Sequence, residues 1–273
     1  MSKIQSSSNN LIKTARKLKQ RKYRDEQGKY IIEGIHLLQE IIKWTSDLEQ
    51  VIVTEEFLQQ GKDIEESAVL INSFETNKIP MAVVEKKLFL ELCETDTPQG
   101  IIGIARKQPN DTSGFEMDVP KVILILNNIQ DPGNLGTLIR TADAAGITNL
   151  ILTKGTVDPY NGKVLRSAMG SHFHLKIQVV ENEMELIAQL KADKVQIAVA
   201  HMGAAVSLYD ANLTAYPLAL VLGNEANGPT ANWLGAADYF IKIPILGKAE
   251  SLNVSIAGAV ILYEIVRQNG LTS

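Results

Sequence analysis

The chain has 273 residues, 45% of them hydrophobic, with a formal net charge of −4: ordinary globular values, and enough material for about two domains of ~100–200 residues each. A single cysteine, Cys93, excludes a disulfide framework and a zinc cluster built from paired cysteines, and it fits a reducing compartment. No apolar run approaches the ~20 residues of a membrane span, and polar residues 1–10 lack the apolar core of a signal peptide, so cytoplasmic residence is expected.

Charge is unevenly spread. Residues 1–30 hold nine Lys/Arg against Asp25 and Glu26, so the acidity lies further on. A helix is expected over 11–20, with Leu11, Ile12, Ala15 and Leu18 on one stripe and bases around the rest. Lys13, Arg16, Lys17, Arg21, Lys22 and Arg24 make this segment a candidate phosphate-binding arm, although a solvated helix face has the same pattern. Gly28 breaks the run. A strand at 30–32, a helix over 35–44, strands at 48–54 and 80–84, a helix over 85–93 and a strand at 100–105 describe a small α/β domain, 1–107. Two prolines with Gly114, Asn110, Asp111, Thr112 and Ser113 mark 108–120 as a linker.

From 121 to 273 the pattern sharpens. A continuous apolar run at 122–126 reads as a strand buried on both faces, and further strands are expected at 150–152, 175–180, 196–200, 218–222 (the most apolar) and 239–245. Helices are expected over 135–145 (closed by Gly146), 162–169, 184–191 and 252–268. Repeated βα units imply a mostly parallel sheet, and ligands of such sheets bind beyond the carboxyl ends of the strands. Three loops there combine glycine, asparagine and charged or hydroxyl residues: 131–136, 223–229 and 246–253. Any one could be simple punctuation; three together point to a pocket.

Asn134 is placed to cap the helix that follows. Arg140 lies opposite that helix's apolar stripe of Leu135, Leu138, Ile139, Ala142 and Ala145. No G-x-G-x-x-G, G-x-x-x-x-G-K-[ST] or G-x-S-x-G motif occurs in a fitting context. His172 and His174 could share one side of a strand, but no third metal ligand is evident and no metal is expected.

At these loops the sequence resembles the SpoU/TrmH family of RNA ribose 2′-O-methyltransferases, of the SPOUT class. The match runs over 128–146, through Asp131-Pro132-Gly133-Asn134 to Arg140 and Gly146; over 222–228, Leu222-Gly223-Asn224-Glu225-Ala226-Asn227-Gly228; and over Ile243-Pro244-Ile245 with 251–257, Ser251-Leu252-Asn253 onward. The family often has glycine where Ala226 stands. The resemblance covers 121–273; Lys17-Leu18, Lys22-Tyr23-Arg24 and Ile31-Ile32-Glu33-Gly34 resemble the family's N-terminal substrate-binding domain, which is similar to small ribosomal RNA-binding proteins.

The resemblance implies an α/β SPOUT domain with a deep trefoil knot, which ordinary topology rules would not anticipate. It implies S-adenosyl-L-methionine as methyl donor and a homodimer sharing parts of its sites. It assigns catalysis to Arg140, with Asn134, a buried Glu225, Ser251 and Asn253 around it. It assigns cofactor contacts to Leu222, Gly223, Gly228, Ile243 and Leu252. Ribosomal RNA of the large subunit is favoured over transfer RNA, because minimal members of the family lack an N-terminal domain. A tRNA methyltransferase and a non-catalytic RNA-binding relative are the alternatives.

Overall fold

The computed structural model describes residues 3–61, 64–110, 122–214 and 217–270. They form two compact units, Met1–Pro109 with Tyr160–Phe173, and Asn110–Pro159 with His174–Ser273. The expected linker lies, from residue 111 on, outside the described residues.

The first unit runs α1 (Asn10–Leu18), α2 (Arg21–Gln27), β1 (Lys29–Glu33), α3 (Ile35–Trp44), β2 (Leu48–Val53), α4 (Glu55–Gln60), α5 (Glu65–Thr76), β3 (Met81–Val83), α6 (Lys86–Leu92) and β4 (Ile101–Arg106). Its sheet has the order β1-β4-β2-β3, antiparallel except for the β2–β3 pair. Alternation along β2 sends Val51 and Val53 into one core with Leu38, Ile41, Phe57 and Phe74, while Ile52 joins a second with Ile12, Leu18, Phe89 and Ile102. The helix expected over 11–20 is α1, which ends at Leu18; a further helix, α2, follows it and is closed by Gly28 at φ 62°. Helices α4 and α5 fill a stretch in which no helix was expected.

The second stretch runs β5 (Val122–Leu126), α7 (Pro132–Ala144), β6 (Asn149–Thr153), α8 (Gly162–Ala168), β7 (Lys176–Val180), α9 (Glu183–Ala192), β8 (Gln196–Ala200), β9 (Val206–Ser207), β10 (Leu218–Leu222), α10 (Ala231–Ala236), β11 (Tyr239–Lys242) and α11 (Val254–Gln268). Of these, α8 belongs to the first unit: Leu165 and Phe173 join the Tyr30 core, and the Tyr160 ring lies 4.6 Å from that of Tyr30.

The second unit is a seven-stranded sheet, β7-β6-β5-β10-β8-β11-β9, with parallel pairing throughout. Strands β5, β6 and β10 are buried along their whole length, as expected of a sheet covered on both faces. One face packs Ile123, Ile151, Val199 and Val221 against Leu186, Leu190 and Trp233 of α9 and α10. On α11, Gly258 meets Leu138 of α7 and Leu222 of β10 so closely that a Cβ there would lie 2.5 Å and 2.8 Å from their methyl carbons. Because β5, β8, β10 and β11 are parallel, the loops leaving their carboxyl ends share one edge of the sheet.

His172 and His174 do not lie on a strand. His172 is buried in a short 3-10 turn, its ring 5.0 Å from that of Tyr160, and His174 pairs with Asp143. Among the described residues no group of three potential metal ligands occurs.

Candidate active site

The first loop leaves β5 through Asn127. This side chain is fully buried; its Nδ2 donates to Thr153 Oγ1 at 2.9 Å and to the Glu183 carboxylate, and its Oδ1 accepts from Thr230 N at 2.8 Å. Glu183 also accepts from Thr230 Oγ1 and Asn232 Nδ2, so Asn127 and Glu183 tie the start of the first loop to the helix that closes the second. Neither belongs to a quoted motif, and the sequence gives no pattern linking them.

Asp131, not Asn134, caps α7: its Oδ1 accepts from Asn134 N at 2.8 Å, and Pro132 follows in the first turn, where its missing N–H costs nothing. The helix therefore starts earlier than the expected 135, and Asn134 lies in its first turn. Relieved of capping, the Asn134 side chain donates through Nδ2 to Glu225 Oε1 at 3.0 Å and accepts through Oδ1 from Asn253 Nδ2 at 3.0 Å. Glu225 also accepts from the backbone N–H groups of Gln130 and Asp131, both at 3.4 Å. Asn253 is the N-cap of α11, its Oδ1 receiving Ser255 N at 2.9 Å and Ser255 Oγ at 2.6 Å. One hydrogen-bonded chain, Glu225–Asn134–Asn253, thus joins all three loops. Glu225 is exposed rather than buried as expected, because its carboxylate lies at the open edge of the sheet among neutral donors.

The second loop folds on itself. Asn224 and Gly228 exchange backbone hydrogen bonds at 3.1 Å and 2.9 Å, and Asn224 Oδ1 accepts from the N–H groups of Ala226 and Asn227. Gly223 is enforced by this turn: a Cβ there would lie 2.0 Å from Pro229 N and 2.3 Å from the Gly228 carbonyl carbon.

Beside the turn lies a cavity of about 410 Å³ whose walls include Leu222, Gly223, Gly228, Ile243 and Leu252, and also Glu225 and Ser251. The volume falls within the ~300–1,000 Å³ usual for small-ligand pockets. Leu222, Ile243, Leu252 and Ile261 offer apolar walls for a flat ring, and Gly223 and Gly228, with no side chains of their own, put main chain in the wall. That combination fits a nucleoside, which takes stacking from apolar groups and hydrogen bonds from main-chain atoms. Ala200, the last residue of β8, with His201 and Met202 after it, completes a wall that sequence reasoning missed; only their place at the end of a parallel strand could have signalled it.

Ser251 borders the cavity but joins none of the bonds described. Arg140 stands further along α7, exposed, and is not part of the cavity wall.

In the first unit, Lys13, Arg16, Lys17, Arg21 and Lys22 are exposed on α1 and α2. Arg16 pairs with Glu91 at 2.5 Å, and Lys17 and Lys22 sit 5.4 Å and 5.9 Å from the centre of the Tyr23 ring. Arg24 departs from the expected surface role. It is only 4% exposed, and its Nη1 donates to the carbonyls of Leu18 and Lys19, each at 2.9 Å, closing the end of α1.

Comparison with known proteins agrees with this architecture. Residues 121–263 match the SpoU rRNA Methylase family, and residues 9–103 match the MRM3-like substrate binding domain. The 23S rRNA (guanosine(2553)-2'-O)-methyltransferase RlmP of Bacillus subtilis is 34% identical over 268 residues, covering 97% of this chain and 99% of its own. The 23S rRNA (guanosine-2'-O-)-methyltransferase RlmB of Yersinia pestis is 30% identical, over 88% of this chain and 98% of its own. The crystal structure of an AdoMet-bound rRNA methyltransferase from Sinorhizobium meliloti superposes with a TM-score of 0.86 at 28% identity, covering 100% of this chain and 99% of that one. With both halves matched, the second and third loops lining one cavity and the first tied to them through Asn134, the chain belongs to the SpoU rRNA methylase family.

Proposed function

We propose that this protein transfers the methyl group of S-adenosyl-L-methionine to a ribose 2′ oxygen of large-subunit ribosomal RNA. The observation that carries the reading is the chain Glu225–Asn134–Asn253, which fixes three loops against one another at the border of a nucleoside-sized cavity. Relatives that share both units with this chain are named as 23S rRNA 2'-O-methyltransferases, which supports ribosomal RNA as the substrate class.

S-adenosylmethionine, when bound, supplies an electrophilic methyl group on a sulfonium centre. Leu222, Ile243 and Leu252 would hold its adenosyl portion, with backbone atoms at Gly223 and Gly228 reading the base. Positioning and electrostatics carry most of the rate in such a transfer. Asn134 and Asn253, each locked by the other and by Glu225 or the α11 cap, present fixed polar groups to an incoming ribose; Ser251 adds a hydroxyl at the cavity's edge. Arg140 carries a permanent guanidinium charge, planar and rich in donors. Its role is to grip the neighbouring phosphate and stabilise the oxyanion that develops. Since Arg140 lines no part of its own chain's cavity, a homodimer in which the guanidinium serves a site shared with the second copy is the assembly that suits the reading. A cytoplasmic location and the trefoil knot of the SPOUT class go with it.

The test is Arg140→Ala assayed on ribosomal RNA alongside calorimetry with S-adenosylmethionine. Methylation should vanish while cofactor affinity is retained; full activity in the variant would reject the role of Arg140.

A further inference from the structure

Asp143 occupies the last turn of α7, where the helix dipole disfavours a carboxylate. It also follows Arg140 by one helical step of three residues, so the two side chains are neighbours and an ion pair between them is the ordinary outcome. That pair is not made. Asp143 Oδ2 instead accepts from His174 Nδ1 at 2.8 Å, with the two side chains 28% and 24% exposed. Among the described residues Arg140 has no carboxylate within ion-pair distance.

We propose that His174 is a positioning residue for Arg140: by engaging Asp143 it keeps the nearest carboxylate off the guanidinium, which stays available to an RNA phosphate. The inference rests on the reading of Arg140 as the group that meets RNA. It explains an acid placed at the unfavourable end of α7, and it gives a task to a histidine that no motif includes. An Arg–Asp pair at this spacing on an exposed helix face shifts populations about twofold, which sets the size of the effect.

The experiment compares kcat/KM for ribosomal RNA in His174→Ala, Asp143→Asn, the double variant and Arg140→Ala, with cofactor affinity and thermal midpoint measured on each. His174→Ala should lose about twofold in kcat/KM with unchanged cofactor affinity. Adding Asp143→Asn should restore the rate, because a neutral amide no longer competes for the guanidinium. His174→Gln, which can still donate to Asp143, should behave as the natural protein and serves if the alanine variant folds poorly. A His174→Ala loss that persists in the double variant means a packing role and overturns the proposal, as does an unaffected His174→Ala beside an inactive Arg140→Ala. An active Arg140→Ala instead defeats the reading of Arg140 itself.

Discussion

Asn253 donates to Asn134 at 3.0 Å across 119 positions of sequence, and each of the two amides is oriented by a second partner. Asn134 cannot rotate its amide without turning its carbonyl onto the Glu225 carboxylate. Asn253 cannot rotate without losing the acceptor that caps α11. The two loops therefore hold one arrangement rather than an average of several.

This sets two substitutions apart. Asn253→Ala removes both cap and donor, so it should cost about 1 kcal/mol of stability together with activity. Asn253→Asp keeps the cap but places a carboxylate oxygen opposite Asn134 Oδ1; flipping Asn134 only moves the conflict to Glu225. Its stability should stay near that of the natural protein while kcat falls about 10²-fold, the usual scale for misplaced reacting groups. Thermal unfolding and single-turnover methylation separate the two effects, and undiminished methylation by Asn253→Asp would mean the link to Asn134 has no catalytic consequence.

Gly223 governs the cavity differently. An alanine there would bring a methyl carbon to 2.0 Å from Pro229 N, so the turn between Asn224 and Gly228 must shift. Overpacking of this kind costs about 1–3 kcal/mol. Because the displaced backbone is the cavity wall, Gly223→Ala should weaken S-adenosylmethionine binding by about tenfold or more while RNA binding through the first unit persists. Calorimetry with the cofactor and a filter-binding assay with RNA would check both halves of the claim.

Much of this was legible in the sequence, and the exceptions have physical reasons. The stripe Leu135, Leu138, Ile139 and Ala142 is buried as its spacing requires, and α3 has the expected bounds. The helix cap was misplaced although its signal was present: Pro132 favours the first helical position, which leaves Asp131 as the cap. Helix α4 was missed because six residues are too few to display a period, although Thr54 as cap with Glu55 and Glu56 behind it announced a start. The Asn127–Glu183 link has no local signature at all, since it depends on the parallel sheet bringing positions 56 apart into contact. Arg24 shows the limit of charge counting: a formal charge does not reveal whether backbone carbonyls at a helix end have claimed it.

The basic segment offers a contrast of its own. Lys17→Ala removes an exposed charge beside Tyr23, so it should weaken RNA binding across sequences and lower the slope of log K against log salt by about 1, with stability within ±0.5 kcal/mol. Arg24→Ala leaves the carbonyls of Leu18 and Lys19 without their donor in a buried place, at a cost of about 1–3 kcal/mol. Its salt slope should match that of the natural protein. A salt slope reduced by Arg24→Ala in folded protein would return this residue to the RNA-binding set.

Glu264 gives a stability prediction at acid pH. Hydrogen bonds from Arg267 at 2.7 Å and 2.8 Å and from Gln268 at 2.8 Å hold its carboxyl at about 2, below its ordinary 4.5. A carboxyl whose value is depressed in the folded state contributes stability that is fully present above its unfolded value and lost as pH falls through the folded one. The contribution should therefore decline between about pH 4.5 and pH 2. Gln268 also anchors the segment before β10, its Nε2 donating to Ala211 O at 2.9 Å and its Oε1 accepting from Leu213 N at 2.8 Å. Protonating Glu264 thus loosens the end of α11 and that segment together. Glu264→Gln should lower stability at neutral pH and flatten the acid limb of the unfolding curve; a limb of undiminished steepness in the variant would assign the acid sensitivity to other carboxylates.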